Sequence, residues 1–158
     1  MSDLTEALAT GLWRRLRDVI LVAERIEDFA FGPGEEGRKA LVAADADAMA
    51  RDLVLRAFRL ASDGINWQIL TASAQGDAGA TFEDLAVACS LPRLAIAERA
   101  NELLQAGLCV RALDADRLLA TQAGDAVIAL VREVAGGLAK RAIESTERER
   151  SNGGLPLL

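Results

Sequence analysis

Two thiols, Cys89 and Cys109, stand in a 158-residue chain that contains neither histidine nor tyrosine. The lack of histidine removes the commonest general base, and the lack of tyrosine a frequent proton donor. Both cysteines sit among apolar neighbours, where a free thiol is commonly a buried core residue. The alternative is a switch that senses oxidants or electrophiles. That role asks for basic residues close by to lower the thiol pKa, and the neighbouring sequence supplies no cluster of them. No Cys/His set has the spacing of a zinc site.

Two further stretches carry groups with chemical potential. Residues 31–39, FGPGEEGRK, superficially suggest a phosphate loop. The spacing is wrong: Arg38 follows Gly37, Lys39 comes one position late, no Ser or Thr follows, and no apolar strand precedes. The run is expected to be an ordinary loop, broken by its Gly and Pro. Asp45 and Asp47 form a carboxylate pair, but residues two apart do not share a helix face. Acids near a helix N-terminus interacting with the macrodipole account for them. The expectation is a protein that is not an enzyme, with no cofactor and no metal.

The elements follow from periodicity. Residues 3–30 predict one long helix, with Leu4, Leu8, Leu12, Leu16, Ile20 and Ala23 along one side, widened by Ala7, Val19 and Ile26. Arg14, Arg15 and Arg17 lie on or beside its polar side, where solvation and ion pairing are the ordinary roles. Residues 43–61 predict a second helix, with rows at Met49, Leu53, Ala57 and Leu60 and at Val54, Phe58 and Ala61. Residues 65–74 predict a third, with Ile65, Ile69, Leu70 and Ala72 in the core and Trp67 at a seam, followed by a polar loop over 75–80.

Residues 81–121 organise the rest. Thr81 is an N-cap with Asp84 three positions on, and Phe82, Leu85, Ala86 and Cys89 fall on one helical face. Ser90-Leu91-Pro92 breaks the helix, and Pro92 suits the first turn of the next. Leu94, Ile96, Ala97, Ala100, Leu103 and Leu104 supply that helix with an apolar side, and Gly107 is placed to end it. Residues 108–113 are β-prone, 114–116 can turn, Leu118-Leu119 returns, and Thr121 caps a long helix over 125–149. That last helix carries Val127, Leu130, Val131, Val134, Leu138 and Ala142 on one side and Ile128, Ala135, Ala139 and Ile143 on another. This is more apolar surface than one solvated helix needs. One side is expected to pack within the protomer and the other on a partner, an isologous homodimer being the commonest arrangement.

Helix, tight turn, helix and hairpin is the layout of a winged helix-turn-helix. The run resembles the MarR family of dimeric winged-helix regulators and its PadR- and ArsR-like relatives. The resemblance rests on Leu85-Ala86, the corner from Glu102 to Leu108, the wing Asp114-Ala115-Asp116-Arg117, and Thr121-Gln122-Ala123-Gly124. It covers roughly residues 65–134. It implies a mainly α (α+β) fold in a single domain over 1–158. Within it, residues 3–62 form an N-terminal helical dimerisation part, 65–124 the winged helix-turn-helix, 125–150 a C-terminal helix and 151–158 a flexible tail.

By the same resemblance, a recognition helix of about 92–106 enters a major groove and a wing of about 108–121 touches phosphate or the minor groove. The implied readout surface holds Arg93, Leu94, Ala95, Ala97, Glu98 and Asn101, with Arg111 and Arg117 on the wing. Arginine donates to guanine edges or phosphate, and asparagine reads adenine. The implied function is a DNA-binding transcriptional regulator acting as a homodimer on duplex DNA. A small-molecule effector would bind between the helical layer and the winged lobe, with Trp13, Phe58 and Trp67 as candidate walls. Charge opposes this reading: residues 81–120 hold four basic and six acidic side chains, a net of 4 − 6 = −2, whereas phosphate neutralisation normally dominates affinity. The alternative is a winged-helix module for protein–protein contacts, an adaptor with a protein partner and weak or no DNA binding.

Length and composition suit one helical domain without disulfides or metals. The hydrophobic fraction is 51% and the aromatic fraction only 4%. A formal charge of −6 disfavours a general polyanion binder, though a local basic patch can still serve. No run is long enough for a membrane span and Met1-Ser2-Asp3 does not open a secretory signal, so the expected location is cytoplasmic, without membrane contact.

Overall fold

The computed structural model describes residues 3–31, 35–112 and 116–152, with side chains described at 3–18, 20–22, 46–112 and 116–148. Six helices and three short strands follow in the order α1 (Asp3–Phe31), α2 (Glu35–Ala61), α3 (Gly64–Ser73), β1 (Ala80–Thr81), α4 (Phe82–Cys89), α5 (Arg93–Gln105), β2 (Cys109–Ala112), β3 (Arg117–Ala120) and α6 (Gln122–Asn152). The fold is mainly helical with one small antiparallel sheet in the order β1-β3-β2. β3 pairs Ala120 with Cys109 and Arg117 with Ala112 on one side, and Leu118 with Ala80 on the other. Among the described residues no helix is long and apolar enough to cross a membrane.

Several sequence expectations need correction. Residues 35–39, expected in a loop, are helical and extend α2 by eight residues beyond the expected start at 43. Glu35 and Glu36 suit a helix N-terminus electrostatically, and one internal glycine costs a helix only about 1 kcal/mol. Ala80, expected in the 75–80 loop, pairs with Leu118 in β1. Pro92 is the residue before α5, with extended ψ of 146, rather than a member of its first turn. α6 starts at Gln122 instead of 125 and runs on through Ser151 and Asn152, which were expected in the tail. Val19, Ala23, Ile26, the centre of the 31–39 run, Asp45, residues 113–115 and residues 153–158 lie outside what is described in full.

The core sits where α3, α4, α5, the sheet and the first turns of α6 meet. Asn66, Ile69, Leu70 and Ser73 give α3 a buried stripe at spacings of three and four. Leu85, Ile96, Leu103, Leu108, Leu118 and Val127 are fully buried around it. Burying a side chain of this size is worth roughly 1.5–3 kcal/mol, so this cluster is a major source of folding energy. Among the described residues the buried polar side chains, Asn66 and Ser73, are satisfied: Ser73 Oγ donates to the Ile69 carbonyl at 2.8 Å, and Asn66 Oδ1 accepts from Arg99 at 3.4 Å.

Local chemistry fixes each joint. Asp63 caps α3, accepting from the amides of Ile65 and Asn66 at 3.0 Å each. Thr81 caps α4 through the Asp84 amide at 3.0 Å. α5 ends in a Schellman motif: Leu108 N donates to Leu103 O and Gly107 N to Leu104 O, both at 3.0 Å, with Gly107 at φ +77. Thr121 closes the ribbon and opens α6 at once. Its amide donates to Leu108 O, its hydroxyl donates to Gly107 O at 2.6 Å and accepts from Gly124 N.

α1 crosses the start of α6 at Gly11. A Cβ added there would lie 2.7 Å from Ala123 Cβ, so the two backbones touch. Beyond that crossing, residues 131–148 of α6 are all exposed in the protomer.

Candidate nucleic-acid interface

α4 and α5 are joined by Ser90, Leu91 and Pro92. The joint is tight because α4 also ends in a Schellman pattern, with Ser90 N donating to Val87 O and Leu91 N to Ala86 O. Ser90 takes the left-handed position, at φ 52. Ile96, Ala100 and Leu103 pin one side of α5 to the core. The spacing of 100° per residue then turns Leu94, Glu98, Asn101 and Gln105 to solvent. Leu94 was expected on the apolar side. It lies about half a turn from Ile96, and it is 73% exposed.

Of the residues proposed for recognition, Arg93 and Arg111 are brought together through Asp116, and Glu98 and Asn101 lie exposed further along α5. Arg93, Glu98 and Asn101 are exposed on α5, and Ala95 and Ala97 are half-buried. Arg111 is exposed on β2, its guanidinium 4.9 Å from the centre of the Phe82 ring. Arg93 and Arg111 both pair with the Asp116 carboxylate, which joins the start of α5 to the ribbon. Arg117 is half-buried and donates to the Ala78 carbonyl at 3.3 Å, so it braces the loop before β1. α5 starts without a side-chain cap, leaving its first amides open to solvent or to an anion.

Two further residues, neither of them among the recognition residues that the sequence implies, belong to this surface. Asp116 was assigned to a turn; its role as common partner of two arginines has no local signal, since Arg93 lies 23 positions away. Val87 on α4 is 74% exposed and stands as an apolar residue on the same motif. Periodicity could have found it, because residue 87 is out of step with the 82, 85 and 89 stripe.

Elsewhere, the thiols behave as core groups. Burial pushes the Cys109 thiol up to about 12, opposed by the Ser73 hydroxyl and reinforced by the Asp125 charge, and burial also raises Cys89. Asp47 pairs with Arg51 one turn on, but α2 begins at Glu35, so positions 45 and 47 lie about three turns inside the helix and the macrodipole at its N-terminus does not account for these acids. Among the described residues no group of His, Cys, Asp and Glu is arranged to hold a metal.

A largely apolar groove of about 430 Å³ lies among α1, α2 and α6, with Leu12, Trp13, Leu53, Phe58 and Leu130 in its wall. It contains two of the three aromatic residues considered for an effector pocket; Trp67 instead packs half-buried against the core. A second cleft of about 460 Å³ separates α1 from the ribbon and includes Arg14, Arg15, Asp18 and Arg111.

Compared with known proteins, the chain matches no family model, no curated protein and no solved structure.

Proposed function

We propose that this protein is a DNA-binding regulator of winged helix-turn-helix type, similar to the MarR family, acting as a homodimer. The observation that carries this reading is the arrangement of α4, a three-residue joint and α5, followed directly by the β2–β3 ribbon, with Arg93 and Arg111 exposed side by side at the junction. α5 presents the readout edge, with Asn101 for bases and the uncapped N-terminus and Arg93 for phosphate. The dimer is supported by where the apolar surface lies. Trp13, Leu55, Phe58, Val131, Val134, Leu138 and Ile143 are all exposed, on α1, α2 and α6. A single protomer leaves this surface to water, and a second copy would cover it. Two α5 helices would then meet half-sites about one duplex turn apart.

The test is a mobility shift on duplex DNA across a salt series, followed by selection of bound duplexes from a random pool. Binding that weakens with salt, and falls further in Arg93→Ala, supports the reading. No binding at low salt overturns it. Sedimentation of the wild type and of Val134→Glu/Leu138→Glu tests the dimer, which the double variant should dissociate.

One observation favours the second reading, a protein-contact module. Val87 and Leu94, at 74% and 73% exposure, stand on the motif that would face DNA, and neither makes a hydrogen bond to a base. Capture of a defined protein partner that Leu94→Asp abolishes, together with no DNA binding, would establish the adaptor in place of the regulator.

A further inference from the structure

We infer that Asp116 restrains the charge of the α5–ribbon surface, binding Arg93 and Arg111 in one carboxylate clamp that weakens contact with duplex phosphate. The inference rests on the DNA-binding reading and specifies how that same surface is tuned.

Four cations lie between residues 81 and 120. Arg99 faces away, paired with Asp63 at 2.9 Å and bonded to Asn66. Arg117 keeps its charge but is half-buried and turned to the Ala78 carbonyl, away from the Asp116 carboxylate pairing. Only Arg93 and Arg111 remain on the outer surface, with side chains 60% and 55% exposed, and both meet Asp116. Within this trio two cations and one carboxylate leave a charge of 2 − 1 = +1 where the two arginines alone would supply +2. Each guanidinium keeps further N–H donors. A phosphate approaching them must nevertheless come close to the carboxylate oxygens.

The carboxylate is held in place by the fold. Asp116 adopts φ 45, and its carbonyl accepts from the Phe82 amide at 3.4 Å. Arg111 is further fixed over the Phe82 ring. The clamp is thus anchored to the first turn of α4, to α5 and to the ribbon together. Asparagine tolerates the left-handed region as aspartate does, so Asp116→Asn removes the charge and keeps the backbone. Exposed ion pairs add little stability, and this variant should fold as the wild type does.

The experiment is fluorescence anisotropy with a labelled mixed-sequence duplex of about three helical turns, titrated with full-length wild type, Asp116→Asn and Asp116→Asn/Arg93→Ala over a salt series. The clamp predicts that Asp116→Asn binds on the order of ten-fold tighter at about 50 mM salt, with the log–log salt slope steeper by about one. The double variant should return towards the wild type. If the wild type binds and Asp116→Asn binds equally or more weakly, with an unchanged slope, the clamp is overturned and the DNA reading stands. If neither protein binds at low salt, the DNA reading falls and the clamp with it. Unchanged circular dichroism and melting temperature of Asp116→Asn assign the difference to charge.

Discussion

The Arg15 Nε–H of α1 donates to the main-chain carbonyl of Gln105, the last residue of α5, at 2.8 Å. That carbonyl lies among the last of its helix, which have no intrahelical donor, and the guanidinium also meets the negative end of the helix dipole. The side chain of the same Gln105 accepts from Arg56 of α2 at 2.9 Å. Both N-terminal helices therefore hold the C-terminal end of the helix whose outer face is the candidate interface. Arg15→Ala should lower stability by about 1 kcal/mol, seen as a lower denaturant midpoint, and Arg15→Lys should recover only part of it.

The crossing of α1 and α6 depends on the absence of a side chain at residue 11. Gly11→Ala would force Cβ into the Ala123 backbone and separate the helices, at a cost of about 1–3 kcal/mol. Gly136→Ala is the matched control. It lies in α6, its Cβ would meet nothing within 4 Å in the protomer, and in dilute, monomeric protein the change should stabilise by up to about 1 kcal/mol. Opposite shifts in the two thermal midpoints are the expected result.

Ser90 holds a left-handed conformation that costs a residue with a side chain about 1 kcal/mol or more. Ser90→Gly should recover about that amount in chemical denaturation while leaving the α4–α5 joint intact. A loss of stability instead would mean that the serine side chain contributes to the joint.

Two groups give stability opposite dependences on pH. Hydrogen bonds from the Asn66 amide, together with Arg99 and the Ile65 amide, hold the Asp63 carboxyl below its ordinary value against a desolvation cost. Its contribution is present above the unfolded carboxyl range near about 4 and is lost as pH falls through the lower folded value. Asp63→Asn should flatten the acid limb of the stability curve. Cys109 works at the other end. The unfolded thiol ionises near about 8.5, whereas the folded one is pushed up to about 12. Stability should therefore fall as pH rises through that interval, and Cys109→Ala should lessen the slope.

The same burial predicts the reactivity of the thiols. In native protein at mildly alkaline pH, Cys109 should resist a thiol-modifying reagent, and it should react fully once the chain is unfolded. Rapid labelling in the native state would show that this strand opens.

Much of this architecture was legible because it is local. The Thr81 and Thr121 caps, the Gly107 stop and the 85, 96 and 103 core positions each follow from spacing or from one residue's backbone preference. The misses have equally physical causes. Asn66 and Ser73 sit in the buried stripe of α3, yet their polarity hides them from a hydrophobic pattern. β1 is only two residues long and exists because β3 offers it a free edge. The Arg93–Asp116–Arg111 cluster joins residues far apart in sequence, and whether an arginine is free or paired is a tertiary fact.

Thr121 is also a pivot. From residue 131 to 148 the last helix is exposed at every position, a length of about 27 Å at 1.5 Å per residue. A tilt of only 5° at its root would swing the far tip by roughly 2 Å. The hydroxyl at that root is bonded to the Gly107 carbonyl, so the base of this long arm and the residues that close α5 share one hydrogen bond.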